Sequence, residues 1–102
     1  SVEVARSKNG VPIRLSDERR THIVEHHDDL AGYRDGVLET LEDPDAVARG
    51  KSGELLAMKA IGATTLVVVY RELTRTDGFV ITAFFTTQPD RVRRRGLRWQ
   101  KH

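Results

Sequence analysis

Three of the four histidines in this chain lie in one short segment beside two arginines, Arg19-Arg20-Thr21-His22-Ile23-Val24-Glu25-His26-His27. Histidine is the side chain whose unperturbed pKa lies nearest neutral pH, and arginine stays positively charged throughout that range. Together they could move protons beside an anion. RNA cleavage without a metal needs this chemistry: a base takes the 2′-hydroxyl proton, cations stabilise the phosphorane, and an acid protonates the leaving 5′-oxygen.

This hypothesis gives several side chains a role. His22 or His27 would be the base or the acid, and Arg19 and Lys59 would hold the phosphate. At about 100° per residue, His26 lies on the same side of a helix as Arg19 and His22, so we predict that it contacts substrate. The structural alternative is that the histidines bond to backbone carbonyls or cap the C-terminal end of the helix, where positive charge is favourable.

A metal site is a second hypothesis for the same segment. His22 and His26 are spaced i, i+4, which places two imidazoles on one helical face, and Asp28 and Asp29 follow. However, the zinc-protease pattern HExxH is absent because residue 23 is Ile, and no third ligand is evident. We therefore predict no metal and no other cofactor.

Hydroxyl groups near the end of a predicted strand form a third candidate group. Thr82, Thr86 and Thr87 follow Tyr70 on the preceding strand. By the two-residue period of a strand, Thr82 and Thr86 share one face, together with Val80. A threonine there can donate a hydrogen bond to a phosphate, although it is more often a β-branched residue suited to a sheet. We predict that Tyr70 and Thr86 bind substrate.

The C-terminal segment is strongly basic. Six of the 17 basic residues and none of the 15 acidic ones lie in residues 91–102, so that segment carries a formal +6 and residues 1–90 carry −4. Such asymmetry indicates a polyanion or an acidic partner surface, and an aromatic ring among basic residues suits single-stranded nucleic acid. A solvated terminus, or Trp99 as a hydrophobic anchor, are the alternatives. The predicted nucleic-acid-binding residues are Arg91, Arg93, Arg94, Arg95 and Trp99.

Length and composition favour one small domain. We expect 102 residues to build a single core over residues 1–90, followed by a basic tail over 91–102. The chain has no cysteine, which excludes disulfides and is compatible with the cytoplasm, the location we expect. No apolar run approaches the roughly 18 residues of a membrane span, so we expect no membrane partner.

The local patterns predict helices first and strands afterwards. Asn-Gly at 9–10 indicates a hairpin joining residues 2–6 to 11–15, and Ser16 is a typical N-cap for a helix over residues 17–27. Helical spacing predicts a second helix from Tyr33 to Leu41. Ala46–Arg49 is a turn or the start of a strand. The remaining segments predict a loop at 50–53, strands at 54–61, 66–70 and 79–87, and a turn at 75–78 around Asp77-Gly78. The composition of residues 54–61 is also compatible with a helix.

Several of these segments resemble a known family, the phage- and bacteria-associated small proteins assigned to the barnase–EndoU–colicin–RelE-like (BECR) ribonuclease fold. The chain is similar to its patterns R-L-T-x-E-R-W-x-H-I, H-P-E-L, T-L-x-x-P-D and V-V-T-A-Y. The matching segments are Ile13-Arg14-Leu15-Ser16-Asp17-Glu18-Arg19, His22-Ile23, His27, Leu30, Leu38-Glu39-Thr40-Leu41, Asp43-Pro44-Asp45 and Val80-Ile81-Thr82-Ala83-Phe84. The family tryptophan is Arg20 here, and the proline after the second histidine is Asp28.

The resemblance implies an α+β fold in which N-terminal helices pack on a four-stranded antiparallel sheet. It also implies a metal-independent endoribonuclease, a toxin or phage-related effector whose partners are RNA and an antitoxin or immunity protein. Carried over by position, its catalytic residues are Arg19, His22, His27 and Thr82. The alternative function is a non-catalytic module that binds nucleic acid or protein through the basic tail.

Overall fold

A computed structural model describes residues 2–16 and 33–101 of the chain. Within these ranges the backbone forms seven strands and two helices. Their bounds are β1 Val2–Arg6, β2 Pro12–Ser16, α1 Tyr33–Glu42, β3 Ala46–Arg49, β4 Leu55–Ile61, β5 Thr64–Thr74, β6 Asp77–Thr86, α2 Pro89–Arg93 and β7 Leu97–Gln100. In the part of the chain so described, no helix is long and apolar enough to cross a membrane.

The predicted N-terminal hairpin is confirmed. β1 and β2 pair antiparallel from Val2 opposite Ser16 to Arg6 opposite Pro12. Between them, the Gly10 amide donates to the Ser7 carbonyl at 2.9 Å, and Gly10 takes a φ of +81°. Only glycine adopts that backbone conformation readily, which explains the Asn-Gly signal.

The predicted fold class is wrong. The strands form one mixed seven-stranded sheet in the order β1-β2-β6-β5-β4-β3-β7, not a four-stranded antiparallel sheet under N-terminal helices. All neighbours are antiparallel except β2 and β6, which run parallel. The helix predicted over residues 17–27 lies outside the described residues, whereas the predicted second helix is confirmed as α1.

The extra strands have a physical cause. An isolated two-stranded hairpin is at best marginally stable in water, so β1–β2 extends the sheet through β2 and β6. The segment predicted as a turn or strand start, Ala46–Arg49, pairs with β4 along its whole length. β5 is central because it has β4 on one side and β6 on the other. The error came from short strands whose partners are distant in sequence.

The sheet buries apolar side chains on both faces. One face, here called the helix face, packs against α1 through Val37 and Leu41 and includes Leu66, Val68 and Tyr70 of β5. The other, here called the tail face, is closed by α2 and includes these side chains: Ala46, Ala48, Leu56, Met58, Val67 and Val92. Burial on both sides explains why the middle of β5 is apolar at consecutive positions.

A bulge in β6 changes which side chains share a face. Val69 pairs with Thr82, but the next residue, Tyr70, pairs with Val80, so Ile81 is an extra residue. Val80 therefore belongs to the helix-face core. The prediction that Val80 shares a face with Thr82 is wrong, because the strict two-residue period stops at the bulge.

The Asp77-Gly78 signal marks a close approach and not the turn itself. The turn occupies residues 75–76, and Thr74 already pairs with Asp77. Gly78 pairs with Ile13 of β2. A Cβ on Gly78 would lie 2.5 Å from the Arg71 carbonyl oxygen and 2.6 Å from Ile13 Cδ1. Glycine is required here because β2, β6 and β5 meet without room for a side chain.

The basic C-terminal segment joins the same sheet. β7 pairs antiparallel with β3, and Val92 of α2 is buried in the tail-face core. The Lys101 ammonium lies 2.8 Å from Asp43 Oδ1, and Lys59 Nζ donates to Asp43 Oδ2 at 3.2 Å. Hydrogen bonds from Lys101 and Lys59 lower the pKa of Asp43 below its ordinary value. Of the tail's cations, Lys101 therefore pairs with an acidic side chain of the same chain.

Candidate functional site

An open cleft of about 490 Å³ lies on the helix face of the sheet. It is lined by the β1–β2 turn, the β3–β4 loop and side chains of β3, β4, β5 and β7. Lys8 Nζ of that turn lies 4.3 Å from the ring centroid of Trp99. In a flat sheet, β2 and β7 would be about 24 Å apart, at ~4.8 Å for each of five strand spacings. The sheet and its first hairpin therefore curl toward each other and enclose the cleft.

Two aromatic side chains, Trp99 and Tyr70, line the cleft. Trp99 pairs with Val47 of β3, and its side chain is only partly buried. Tyr70 pairs with Leu55 of β4 and is 1% exposed. Burial, and then the nearby negative charge of Glu72, raise the pKa of Tyr70 above its ordinary value. The Tyr70 hydroxyl therefore stays protonated at neutral pH.

Glu72 is the acidic side chain of the cleft, and the hairpin turn fixes its position. Its Oε2 accepts a hydrogen bond from Ser7 Oγ, and its Oε1 accepts one from Asn9 Nδ2 at 2.9 Å. The Ser7 hydroxyl also accepts a hydrogen bond from the Val11 amide at 3.2 Å. This chain of hydrogen bonds connects β5 with the β1–β2 turn and holds one wall of the cleft in place.

Two cationic side chains, Lys8 and Arg49, also line the cleft. Arg49 is exposed at the end of β3, where its amide donates to the Gly96 carbonyl at 2.8 Å. Among the residues the structure describes, neither Lys8 nor Arg49 forms an ion pair. With Glu72 engaged by Ser7 and Asn9, these two charges are available to an anionic ligand.

The threonines predicted for the site do not lie in this cleft. Thr82 pairs with Val69, which packs against the tail-face core, so its side chain is on the face opposite the cleft. Thr86 is on that face too, and its Oγ1 accepts a hydrogen bond from the Gln88 amide at 3.0 Å. This bond stabilises the chain reversal before α2.

Lys59 lies on the helix face but away from the cleft. It pairs with Leu66, and its ammonium is 2.8 Å from the Asp43 carbonyl oxygen. Of the residues predicted to bind substrate, Tyr70 alone among the described ones lines the cleft. The structure thus separates Tyr70, Lys59 and Thr82 into three different places.

The histidine-rich segment predicted to be catalytic is not among the described residues. Arg19, His22, His26 and His27 lie outside the described residues, so their roles stay predictions. In the described ranges, no group of three or more histidine, cysteine, aspartate or glutamate side chains could hold a metal ion.

The predicted nucleic-acid-binding residues occupy two places. Trp99 is in the cleft, whereas the arginines belong to α2 and the residues that follow it. Arg93 Nη1 lies 3.2 Å from Asp90 Oδ1. The other three, Arg91, Arg94 and Arg95, are exposed.

Four polar side chains that line the cleft were not predicted: Lys8, Asn9, Arg49 and Glu72. The sequence contained a weak signal for Glu72, since it follows Tyr70 at the two-residue spacing of one strand face. Asn9 was interpreted only as a turn residue, and no role was predicted for Lys8. Nothing local indicated that this turn reaches Trp99, which is about 90 residues away in sequence.

Comparisons of the chain with protein-family models, with curated proteins and with solved structures found no match.

Proposed function

We propose that the protein binds single-stranded RNA, with one base stacked on Trp99 in the cleft and the adjoining phosphates held by Lys8 and Arg49. The observation that carries the proposal is a partly exposed indole that shares one cleft with two cations, Lys8 and Arg49, which form no ion pair among the described residues. Aromatic rings beside positive charge form the common binding surface for single-stranded nucleic acid.

The contact between Lys8 and Trp99 can give way to a base. An exposed cation–π contact contributes about 0.5–1 kcal/mol, whereas stacking of a base on an aromatic ring contributes about 1–3 kcal/mol. Exchange of the ammonium for a base is therefore favourable. The displaced Lys8 would remain near the ligand, where it can contact a phosphate.

The size and charge of the cleft support the same proposal. Its volume of about 490 Å³ lies in the range of pockets for small ligands, which suits one nucleotide of a strand better than the surface of a folded partner. Two cations against one carboxylate favour an anion. The lone pairs that Glu72 does not use toward Ser7 and Asn9 can still accept N–H groups of a base.

The proposal is tested by binding of fluorescently labelled oligouridylate in EDTA, measured by anisotropy. Trp99→Leu removes the aromatic ring and keeps an apolar side chain, so affinity should fall about 5–150-fold, the equivalent of 1–3 kcal/mol. Trp99→Phe keeps an aromatic ring, so its affinity for oligouridylate should fall less than that of Trp99→Leu. Leu97→Ala is the matched control, because Leu97 is a half-exposed residue of the same strand that does not line the cleft.

The native chain also offers an internal reporter. Trp99 is the only tryptophan of the protein, so its fluorescence should change as oligouridylate binds. Thermal unfolding shows whether Trp99→Leu is folded like the native chain. If both proteins are folded and bind oligouridylate with equal affinity, the proposal is refuted.

RNA cleavage stays a separate prediction, and the same samples test it. Gel analysis of the RNA in EDTA should show cleavage by the native chain and none by His22→Ala. Binding that depends on Trp99 without any cleavage would support the binding module and reject the ribonuclease.

A further inference from the structure

We infer that the binding surface continues from the cleft around the edge of the sheet onto α2, so that the ligand is a strand several nucleotides long and not a mononucleotide. This inference rests on the proposed function. It adds three arginines, Arg91, Arg94 and Arg95, as phosphate contacts outside the cleft.

These three arginines are held in place and are available to a ligand. Val92, between them in sequence, is 6% exposed and anchors α2 in the tail-face core. Arg91, Arg94 and Arg95 are exposed, and none of them forms an ion pair with another described residue. Because Arg91 and Arg94 are three residues apart in a helical stretch, their side chains are neighbours.

A shallow depression lies beside these side chains. It measures about 420 Å³ and is lined by Thr87, Gln88, Pro89, Asp90, Arg91 and Arg94. The single carboxylate in that wall, Asp90, already pairs with Arg93 at 3.2 Å. The remaining polar groups there are hydroxyl, amide and guanidinium, which all donate hydrogen bonds to phosphate oxygens.

Gly96 connects this surface to the cleft. Its carbonyl accepts the Arg49 amide at 2.8 Å, so the backbone at Gly96 touches the backbone of a residue that lines the cleft. Arg94 is two residues earlier, at most about 7.6 Å away at ~3.8 Å per residue. Gly96 has a φ of +134°, a conformation that lets the chain turn sharply from α2 into β7. The backbone positions that carry Arg94 and Arg49 are therefore close together at this edge of the sheet.

Length and salt dependence test the inference. On the native chain, affinity should rise along a series from uridine monophosphate to oligouridylates of about eight nucleotides, because longer strands reach α2. Each phosphate contact contributes about 0.7 to the slope of log affinity against log salt for a single strand. Replacing Arg91, Arg94 and Arg95 together by Gln should thus reduce the slope by about 2 for the longest strand and leave uridine monophosphate binding unchanged.

Single substitutions provide the control. Arg14→Gln removes one positive charge that already pairs with Asp77 Oδ1 at 2.8 Å, so it should change the slope less than Arg94→Gln does. An oligodeoxythymidylate series shows whether the surface distinguishes RNA from DNA. Length-independent affinity and an unchanged slope in the triple variant would overturn the inference. If Trp99→Leu still weakened binding in that case, RNA binding in the cleft would be supported and only its extension onto α2 would be rejected.

Discussion

Gly78→Ala tests the junction at which β2, β6 and β5 meet, and its cost follows from the geometry. An added Cβ would lie 2.5 Å from the Arg71 carbonyl oxygen and 2.6 Å from Ile13 Cδ1. Ile13 is 0% exposed, so its side chain has little room to move, and the carbonyl belongs to a paired strand. Overpacking typically costs about 1–3 kcal/mol. Because one contact is backbone, we expect about 2–3 kcal/mol and a Tm lower by roughly 10–20 °C.

Gly36→Ala is the matched control for this change. In α1 an added Cβ would lie 3.6 Å from Leu66 Cδ2, which is an ordinary van der Waals distance. Alanine is the better helix former, so this variant should gain about 0.5–1 kcal/mol. Both variants are compared with the native chain by urea and thermal unfolding. A Gly78→Ala variant as stable as the native chain would refute the parallel pairing of β2 with β6.

Two further predictions concern the core and the tail. Met58 is 0% exposed in the tail-face core, so Met58→Ala should lower the free energy of unfolding, measured in urea, by about 2–5 kcal/mol. The control Leu73→Ala, at a half-exposed position, should change it by about 0.5 kcal/mol or less. Lys101 and Lys59 lower the pKa of Asp43 in the folded chain. The ionised Asp43 carboxylate therefore stabilises the fold fully above its unfolded pKa of about 3.9, and this stabilisation is lost as pH falls through the folded pKa. In Asp43→Asn, the free energy of unfolding should therefore decrease less steeply than in the native chain as pH is lowered. The same pH dependence in both proteins would contradict a stabilising role of the Asp43 carboxylate.

Local patterns predicted those elements whose partners are close in sequence. The β1–β2 hairpin, α1, the β4–β5–β6 meander and the loop at 50–53 were predicted from turn residues, helical spacing and β-branched runs. Each of them depends on contacts between neighbouring segments, which composition and period encode directly.

The sheet order and the cleft depend on contacts that no local pattern encodes. β2 joins β6 although some 60 residues separate them in sequence, and β7 is a strand only because β3 offers it an edge. Trp99 was predicted as a nucleic-acid contact from its basic neighbours, but Lys8 and Arg49 become its neighbours only through the curl of the sheet. Contacts between strands that are far apart in sequence therefore explain both the wrong fold class and the cleft residues that were not predicted.

Photochemical cross-linking tests the placement of RNA on Trp99 most directly. The full chain is irradiated with an oligouridylate that carries one 5-iodouridine, digested with trypsin and analysed by mass spectrometry. Cleavage after Arg98 and Lys101 releases a peptide that contains Trp99. We expect this peptide to carry the cross-link and an excess of unlabelled oligouridylate to prevent the cross-link from forming. Cross-links confined to residues 17–32, with the Trp99 peptide unmodified, would contradict it.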